Sequence, residues 1–221
     1  MRVFGTGWGS IGAYGLLALI VNLAAPAAPL SAHAMPIRLL AFGDSLTAGY
    51  NLPPGQSFAD QLEAALKAKG YDATVIQGGV SGDTSSGGKA RMDWVMAGAK
   101  ADHVIVELGA NDALRGIAPE QTEANLDAIL ANLQARNAKV LLAGMLAPPN
   151  LGPDYGKRFN GLYPALAKKH NVPLYPFFLD GVAAHPDLQL SDGMHPTVQG
   201  VGVMVKNMLP SITAWLGPPT P

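Results

Sequence analysis

The chain has 221 residues, of which 14% are charged, with a formal net charge of -1, five histidines and no cysteine. That length suits one well-packed domain and is short for two. The charge balance excludes a nucleic-acid binder held by phosphate neutralisation, and His33, His103, His170, His185 and His195 lie scattered without His-Glu-x-x-His spacing, which argues against a zinc site.

Residues 1–34 read as an export leader. Arg2 gives a thin positive start, the apolar run from Ile11 to Ala25 is broken by Gly12, Tyr14, Gly15 and Asn22, and Ala32-His33-Ala34 offers a small-x-small cleavage site. Cleavage there would release a periplasmic or secreted chain from Met35, with no stable membrane anchor. The other reading is an uncleaved anchor, although the run falls short of the ~20 apolar residues a spanning helix needs. With no cysteine, neither a disulfide nor a lipid-modified leader end is available.

From Met35 the pattern alternates strands and helices. The first strand is the apolar run from Ile37 that ends at Gly43, followed at once by Asp44 and Ser45. Ser57 is placed to cap a helix with Phe58, Leu62, Ala65 and Leu66 on one face and Gly70 as its stop. Ala73 to Gln77 is a second strand, and a glycine-rich loop then leads to a helix near Lys89 to Met96. A third strand, His103 to Leu108, stops at Gly109. Pro119 starts a long helix in which Leu126, Ile129, Leu130 and Leu133 recur at helical spacing behind Glu120 and Glu123. The fourth strand is Val140 to Met145, and Pro148-Pro149-Asn150 marks a loop. A helix from Tyr155 to His170, a fifth strand from Val172 to Phe178 and a last helix from Val198 to Trp215, bent or ended at Pro210, complete a domain of residues 35–217 before a short tail.

Short continuous apolar strands separated by helices imply a parallel sheet covered on both faces, an α/β, three-layer sandwich of flavodoxin-like type with five strands. Ligands bind outside the carboxyl ends of strands in such sheets. Ser45, the Gly79-Val80-Ser81-Gly82-Asp83-Thr84 stretch and Gly109-Ala110-Asn111-Asp112 all fall just past strand ends. Taken singly, each has a bland reading: Asp44 and Ser45 as a cap, Gly82 as a turn glycine, Asn111 as a loop residue. A serine becomes a nucleophile only beside a base that is itself held in the right tautomer. Among the histidines only His195 has a suitable neighbour, Asp192, three residues earlier in the loop Asp192-Gly193-Met194-His195.

These four ordered blocks resemble the GDSL family, the SGNH hydrolases, and the similarity extends from about Ile37 to about Leu216, including Val106-Glu107-Leu108-Gly109 and Leu114-Arg115-Gly116. The resemblance implies the strand order 2-1-3-4-5 and a serine esterase acting on ester or thioester bonds of arylesterase, lysophospholipase or acyl-thioesterase type. It implies Ser45 as nucleophile, His195 as base and Asp192 as its orienter, with no metal or cofactor. It also implies oxyanion donors from the backbone N–H groups of Ser45 and Gly82 and the side-chain amide of Asn111, groups suited to bind developing negative charge. Leu114, Ile117, Leu146, Leu151 and Tyr155 are candidates for an acyl pocket, with the segment from Leu146 to Tyr155 as its lid, although apolar residues of this kind are as readily plain core. Ala110 stands where relatives often have glycine, which predicts a stiffer loop around Asn111.

Asp44, Asp83 and Asp112 are expected to hold loop backbone amides, and buried Glu107 needs a partner, for which Arg115 is the candidate. Three other readings remain at this point. A glycosidase-like pair, Asp44 with Asp112, would leave His195 without a task. The same catalytic parts could serve a carbohydrate acetylesterase or act on a peptide. A non-enzymatic binding module could cradle phosphate on the glycine-rich loop, but it lacks both the Walker lysine pattern and the Gly-x-Gly-x-x-Gly fingerprint. The Gly-x-Ser-x-Gly elbow of α/β-hydrolases is absent around Ser45. Expected partners are a small-molecule or lipid ester, no nucleic acid, and no second copy, since nothing in the pattern demands a dimer.

Overall fold

The computed structural model describes residues 36–219. The leader expected over residues 1–34 lies outside the described residues. The elements are β1 (Ile37–Gly43), α1 (Ser45–Ala48), α2 (Phe58–Ala68), β2 (Ala73–Gly79), α3 (Ser85–Ala99) and β3 (His103–Glu107). They continue with α4 (Ala110–Leu114), α5 (Pro119–Ala135), β4 (Lys139–Ala143), α6 (Pro153–His170), β5 (Leu174–Tyr175) and α7 (Val198–Leu216). Two short 3-10 turns, Pro149–Leu151 and Pro186–Leu188, sit in loops. No helix among the described residues is long and apolar enough to cross a membrane.

All five strands are parallel in the order β2-β1-β3-β4-β5, as the resemblance implies. Leu40 pairs with Ile76 on one side and Val104 on the other, so the carboxyl ends of β1, β2 and β3 reach the same edge. Strands β1 and β3 are buried along nearly their whole length because helices cover both faces. Residues of α2 and α7 pack with each other, as do those of α3, α5 and α6. Phe42, Phe58, Phe159, Tyr163 and Phe178 are the largest side chains of the core between these layers.

Local chemistry explains the helix starts. Ser57 and Asp60 form a reciprocal capping box, with Ser57 N–H donating to Asp60 Oδ2 at 3.0 Å and Asp60 N–H to Ser57 Oγ at 3.3 Å. Thr84 caps α3 by accepting the Gly87 N–H at 3.2 Å, so that helix begins at Ser85, earlier than the expected Lys89. Pro119 occupies the first turn of α5, where its missing N–H costs nothing.

Several boundaries differ from expectation. Strand β5 is a two-residue ladder instead of the seven expected, because Pro173 and Pro176 flank it and have no N–H to donate. The chain there still follows β4: Gly144 N–H donates to the Tyr175 carbonyl at 2.7 Å and Phe178 N–H to the Gly144 carbonyl at 2.9 Å. Pro210 neither ends nor interrupts α7; it and Lys206, whose carbonyl it leaves without a helical donor, are exposed, and water can take the donor's place. The helix expected from Tyr155 begins two residues earlier, with Pro153 in its first turn, and the Tyr155 hydroxyl donates to the Ile117 carbonyl at 2.7 Å.

Candidate active site

At the carboxyl edge, β1 runs directly into the single turn α1, with Ser45 as its first residue. The Asp44 carboxylate caps that turn by accepting the Leu46 N–H at 3.0 Å. Ser45 is almost enclosed, at 8% exposure. From the other end of the chain comes the Asp192 loop. Asp192 Oδ1 accepts the N–H groups of Met194 at 2.9 Å and His195 at 3.0 Å, while Oδ2 accepts from His195 Nδ1 at 2.7 Å. Because a carboxylate can only accept, Nδ1 carries the proton and Nε2 keeps its lone pair. That Nε2 accepts the Ser45 hydroxyl at 2.9 Å, across 150 positions of sequence.

The backbone N–H groups of His195 and Met194, together with the imidazole, hold the Asp192 carboxyl down at about 2. It is therefore ionised at every pH at which the imidazole works. Tyr50, which no sequence motif singles out, lays its ring against the imidazole with centroids 4.4 Å apart. It follows Gly49, whose left-handed backbone ends α1, and its only sequence signal is its place one turn after Ser45.

Two further loops bring Gly82 and Asn111. Asp83 N–H donates to the Val80 carbonyl at 3.1 Å and Gly82 has φ +83, which together define a turn of type II with glycine at its third position. A Cβ on Gly82 would meet only Arg115 Nη2, at 3.8 Å. The glycine is required by its backbone angle and not by lack of space in the protein. Neither the Ser45 nor the Gly82 N–H has an acceptor among the described residues. Asn111 follows Gly109, where a Cβ would run into the Tyr163 hydroxyl. Asn111 Nδ2 donates to Asp44 Oδ2 at 3.0 Å, which leaves its second N–H for another acceptor. Ala110 is the first residue of α4, in helical backbone that alanine prefers, so glycine is not needed there.

The neighbouring acids fall into distinct places. Asp112 is spent on Ser85 N–H at 2.7 Å, Ser85 Oγ at 2.5 Å and Thr122 Oγ1 at 3.1 Å, tying α3 to α5. Asp44 faces Asn111 and Leu46, so the glycosidase-like pair is not formed. Asp83 does not hold a backbone amide as expected: it accepts from Arg91 Nε at 2.5 Å. The same guanidinium donates to the carbonyls of Gly78 and Gly43, both at 2.8 Å, and lies over the Phe42 ring, so it knits the ends of β1 and β2 together. The expected pairing of Glu107 with Arg115 is also corrected. Glu107 Oε2 accepts from Thr47 Oγ1 at 2.8 Å and from Asp44 N–H at 3.3 Å, and its Oε1 has no protein partner. Arg115 instead donates to the Gly82 carbonyl at 2.7 Å. Burial, and then the adjacent Asp44, push the Glu107 carboxyl well above its ordinary value; burial raises Asp44 to about 6, against hydrogen bonds from Leu46 and Asn111.

Of the acyl-pocket candidates, Leu114 and Leu146 are exposed, whereas Ile117 is half-buried and Leu151 and Tyr155 pack partly against the core. Tyr50, Val80 and Met194 are exposed as well, so five of the six exposed large apolar side chains among the described residues sit on segments that follow strand carboxyl ends or on the loop that carries His195. A groove of about 700 Å³ between α5 and α6, lined by Glu120, Glu123, Asp154, Lys157 and Arg158, contains none of the residues above. It offers no nucleophile with a base, and chemistry rather than size places the site at Ser45.

A three-layer parallel sheet whose carboxyl edge holds serine, histidine and aspartate in one hydrogen-bonded series defines a serine hydrolase of the SGNH class. The model of the GDSL-like lipase/acylhydrolase family matches residues 41–203. Esterase TesA of Pseudomonas aeruginosa is 40% identical over 174 residues, which cover 79% of this chain and 87% of that protein. Thioesterase 1/protease 1/lysophospholipase L1 of Escherichia coli K12 is 40% identical over 158 residues, covering 72% of this chain and 74% of that one. The crystal structure of AlinE4, an SGNH-hydrolase family esterase, aligns with a TM-score of 0.70 at 45% identity, over 83% of this chain and 98% of that chain. The chain belongs to the GDSL-like lipase/acylhydrolase family and is a serine ester hydrolase.

Proposed function

We propose that this enzyme hydrolyses carboxylic esters and thioesters of apolar acyl groups through an acyl-enzyme on Ser45. The observation that carries the reading is the 2.9 Å contact between Ser45 Oγ and His195 Nε2, in a ring oriented by Asp192. Ser45 Oγ attacks the acyl carbonyl carbon as its proton passes to His195 Nε2. The carbonyl oxygen becomes an oxyanion beside the N–H groups of Ser45, Gly82 and Asn111. As the tetrahedral centre collapses, the bond to the leaving alcohol or thiol breaks and His195 gives that group its proton. Water then repeats the sequence on the acyl-enzyme and releases the acid. Donors of this kind are typically worth about 10² to 10³ in rate each.

An apolar acyl group is favoured over a sugar acetate because Tyr50, Val80, Leu114, Leu146 and Met194 expose apolar surface on segments at the carboxyl edge of the sheet and on the loop that carries His195. The relatives named as esterase and as thioesterase and lysophospholipase are consistent with such substrates. The apolar run and Ala32-His33-Ala34 site support export to the periplasm or beyond with cleavage after Ala34, leaving a mature chain from Met35.

The test is hydrolysis of p-nitrophenyl esters from acetate to palmitate by the chain from Met35 and by its Ser45→Ala variant. Activity in the first, none in the second and a rise from acetate to longer chains is expected. Activity confined to acetate transfers the assignment to the acetylesterase reading, and no activity on any ester overturns it.

A further inference from the structure

The two oxyanion donors other than Ser45 come from separate loops, so something must fix their separation. Gly82 rides on the turn after β2, and Asn111 on the short helix after β3. Preorganisation of such donors, more than their number, decides how well they stabilise charge. Arg115 spans both. Its backbone N–H donates to the Asn111 carbonyl at 3.1 Å, so it stands one helical turn beyond Asn111. Its Nη2 reaches across to the Gly82 carbonyl at 2.7 Å. No Asp or Glu pairs with this guanidinium among the described residues, whereas Arg91, Arg136 and Arg158 each have a carboxylate. Its positive charge therefore stands on the Gly82 turn without a paired carboxylate among the described residues.

We infer that Arg115 is a positioning residue of the oxyanion hole: it ties the Gly82 turn to the helix carrying Asn111 and biases the hole toward negative charge. The inference rests on the esterase reading above. Arg91 braces the same turn from the other side through Asp83, but it is largely buried and serves three acceptors, so its variants would confound folding with catalysis. Arg115 is exposed and makes a single side-chain bond, which makes it the cleaner probe.

The experiment compares the active chain with Arg115→Gln, Arg115→Lys and Arg115→Ala on p-nitrophenyl butyrate, with active sites counted by a fluorophosphonate. Loss of one charged, solvent-exposed hydrogen bond predicts a kcat lower by about tenfold in Arg115→Gln, with KM within about twofold. Arg115→Lys is expected to recover part of the loss, because it keeps the charge without the fork. Guanidinium ion at concentrations that leave the parent enzyme unchanged is expected to raise the kcat of Arg115→Ala, and urea to have no such effect. Melting temperatures should match the parent, which a merely structural role would not predict. If Arg115→Gln keeps kcat within twofold of the parent, or if its loss tracks a lowered melting temperature, the inference is wrong while the esterase reading stands. A parent chain that hydrolyses no ester removes both.

Discussion

Replacing Asp44 by asparagine changes almost no volume, yet it should disable the enzyme. Asp44 Oδ2 accepts one N–H of Asn111 at 3.0 Å, and its other oxygen accepts the Leu46 N–H. In Asp44→Asn the remaining oxygen can still cap Leu46, which leaves the new NH₂ facing the NH₂ of Asn111. Two donors cannot pair, so Asn111 flips and presents its carbonyl oxygen to the introduced amide. The same flip turns the Asn111 NH₂ away from the developing oxyanion, where a donor is needed. The cost is that of losing one oxyanion donor, about 3 to 4 kcal/mol, or 10² to 10³ in kcat. Stability should move the other way. Asp44 ionises at about 6 in the fold against an ordinary value of 3.8, a gap of about 3 kcal/mol that the folded parent carries above pH 6 and the variant does not. The assay is kcat on p-nitrophenyl butyrate at pH 8, with urea midpoints at pH 5 and pH 8. The variant should gain stability relative to the parent as pH rises, while activity falls at least a hundredfold. In an Asn111→Ala background the same change should cost little more. A variant that keeps a third of the parent kcat would falsify the assignment of Asp44 as the group that orients Asn111.

Glu107→Gln should reduce the pH sensitivity of the fold. Glu107 binds its proton more tightly folded than unfolded, so its contribution to stability is full below about pH 4 and declines as pH rises toward its raised folded value; melting scans from pH 4 to 9 should show that decline in the parent and a flatter curve in the variant. Gly82→Ala has room for its Cβ but holds an L-residue at φ +83, so it should lose about 1–2 kcal/mol of stability and, by favouring the flipped turn that sends the Gly82 N–H away, at least tenfold in kcat, read by urea melts and turnover. Asp192→Asn should lower kcat by about 10³ to 10⁴ with KM little changed, since an amide no longer enforces the Nδ1–H tautomer. Leu146→Ser and Leu114→Ser should flatten the dependence of kcat/KM on acyl length, each buried methylene being worth about 0.8 kcal/mol; equal loss at every chain length would count against these residues as acyl contacts.

Much of the fold was legible because it rests on local contacts. The Ser57 cap, the Pro119 helix start and the apolar runs of β1 and β3 are set by residues within a turn or two of one another, whereas the Thr84 cap, equally local, is masked by the glycine-rich stretch before it. The same holds for the Asp192 loop, where carboxylate and imidazole are three residues apart. The five-stranded architecture follows from that alternation, and the strand order from likeness to the family. The shortness of β5 is signalled by Pro173 and Pro176, but the apolar run around them points to a longer strand, and the missing donors prevail over it.

What the residues alone determined, then, is the inventory: a serine, a base with its orienter, two glycine-bearing turns and an asparagine, each placed just past a strand. Only the tertiary structure decided their couplings. It brought Ser45 to His195 over 150 positions, laid Tyr50 on the imidazole, gave Arg115 to the Gly82 carbonyl instead of Glu107, and set Glu107 beneath Asp44. The physical reason is that a hydrogen bond of about 3 Å between loops depends on where the packed sheet and helices carry each loop, a sum of many long-range contacts. Sequence spacing reports on neighbours along the chain and carries no such distance.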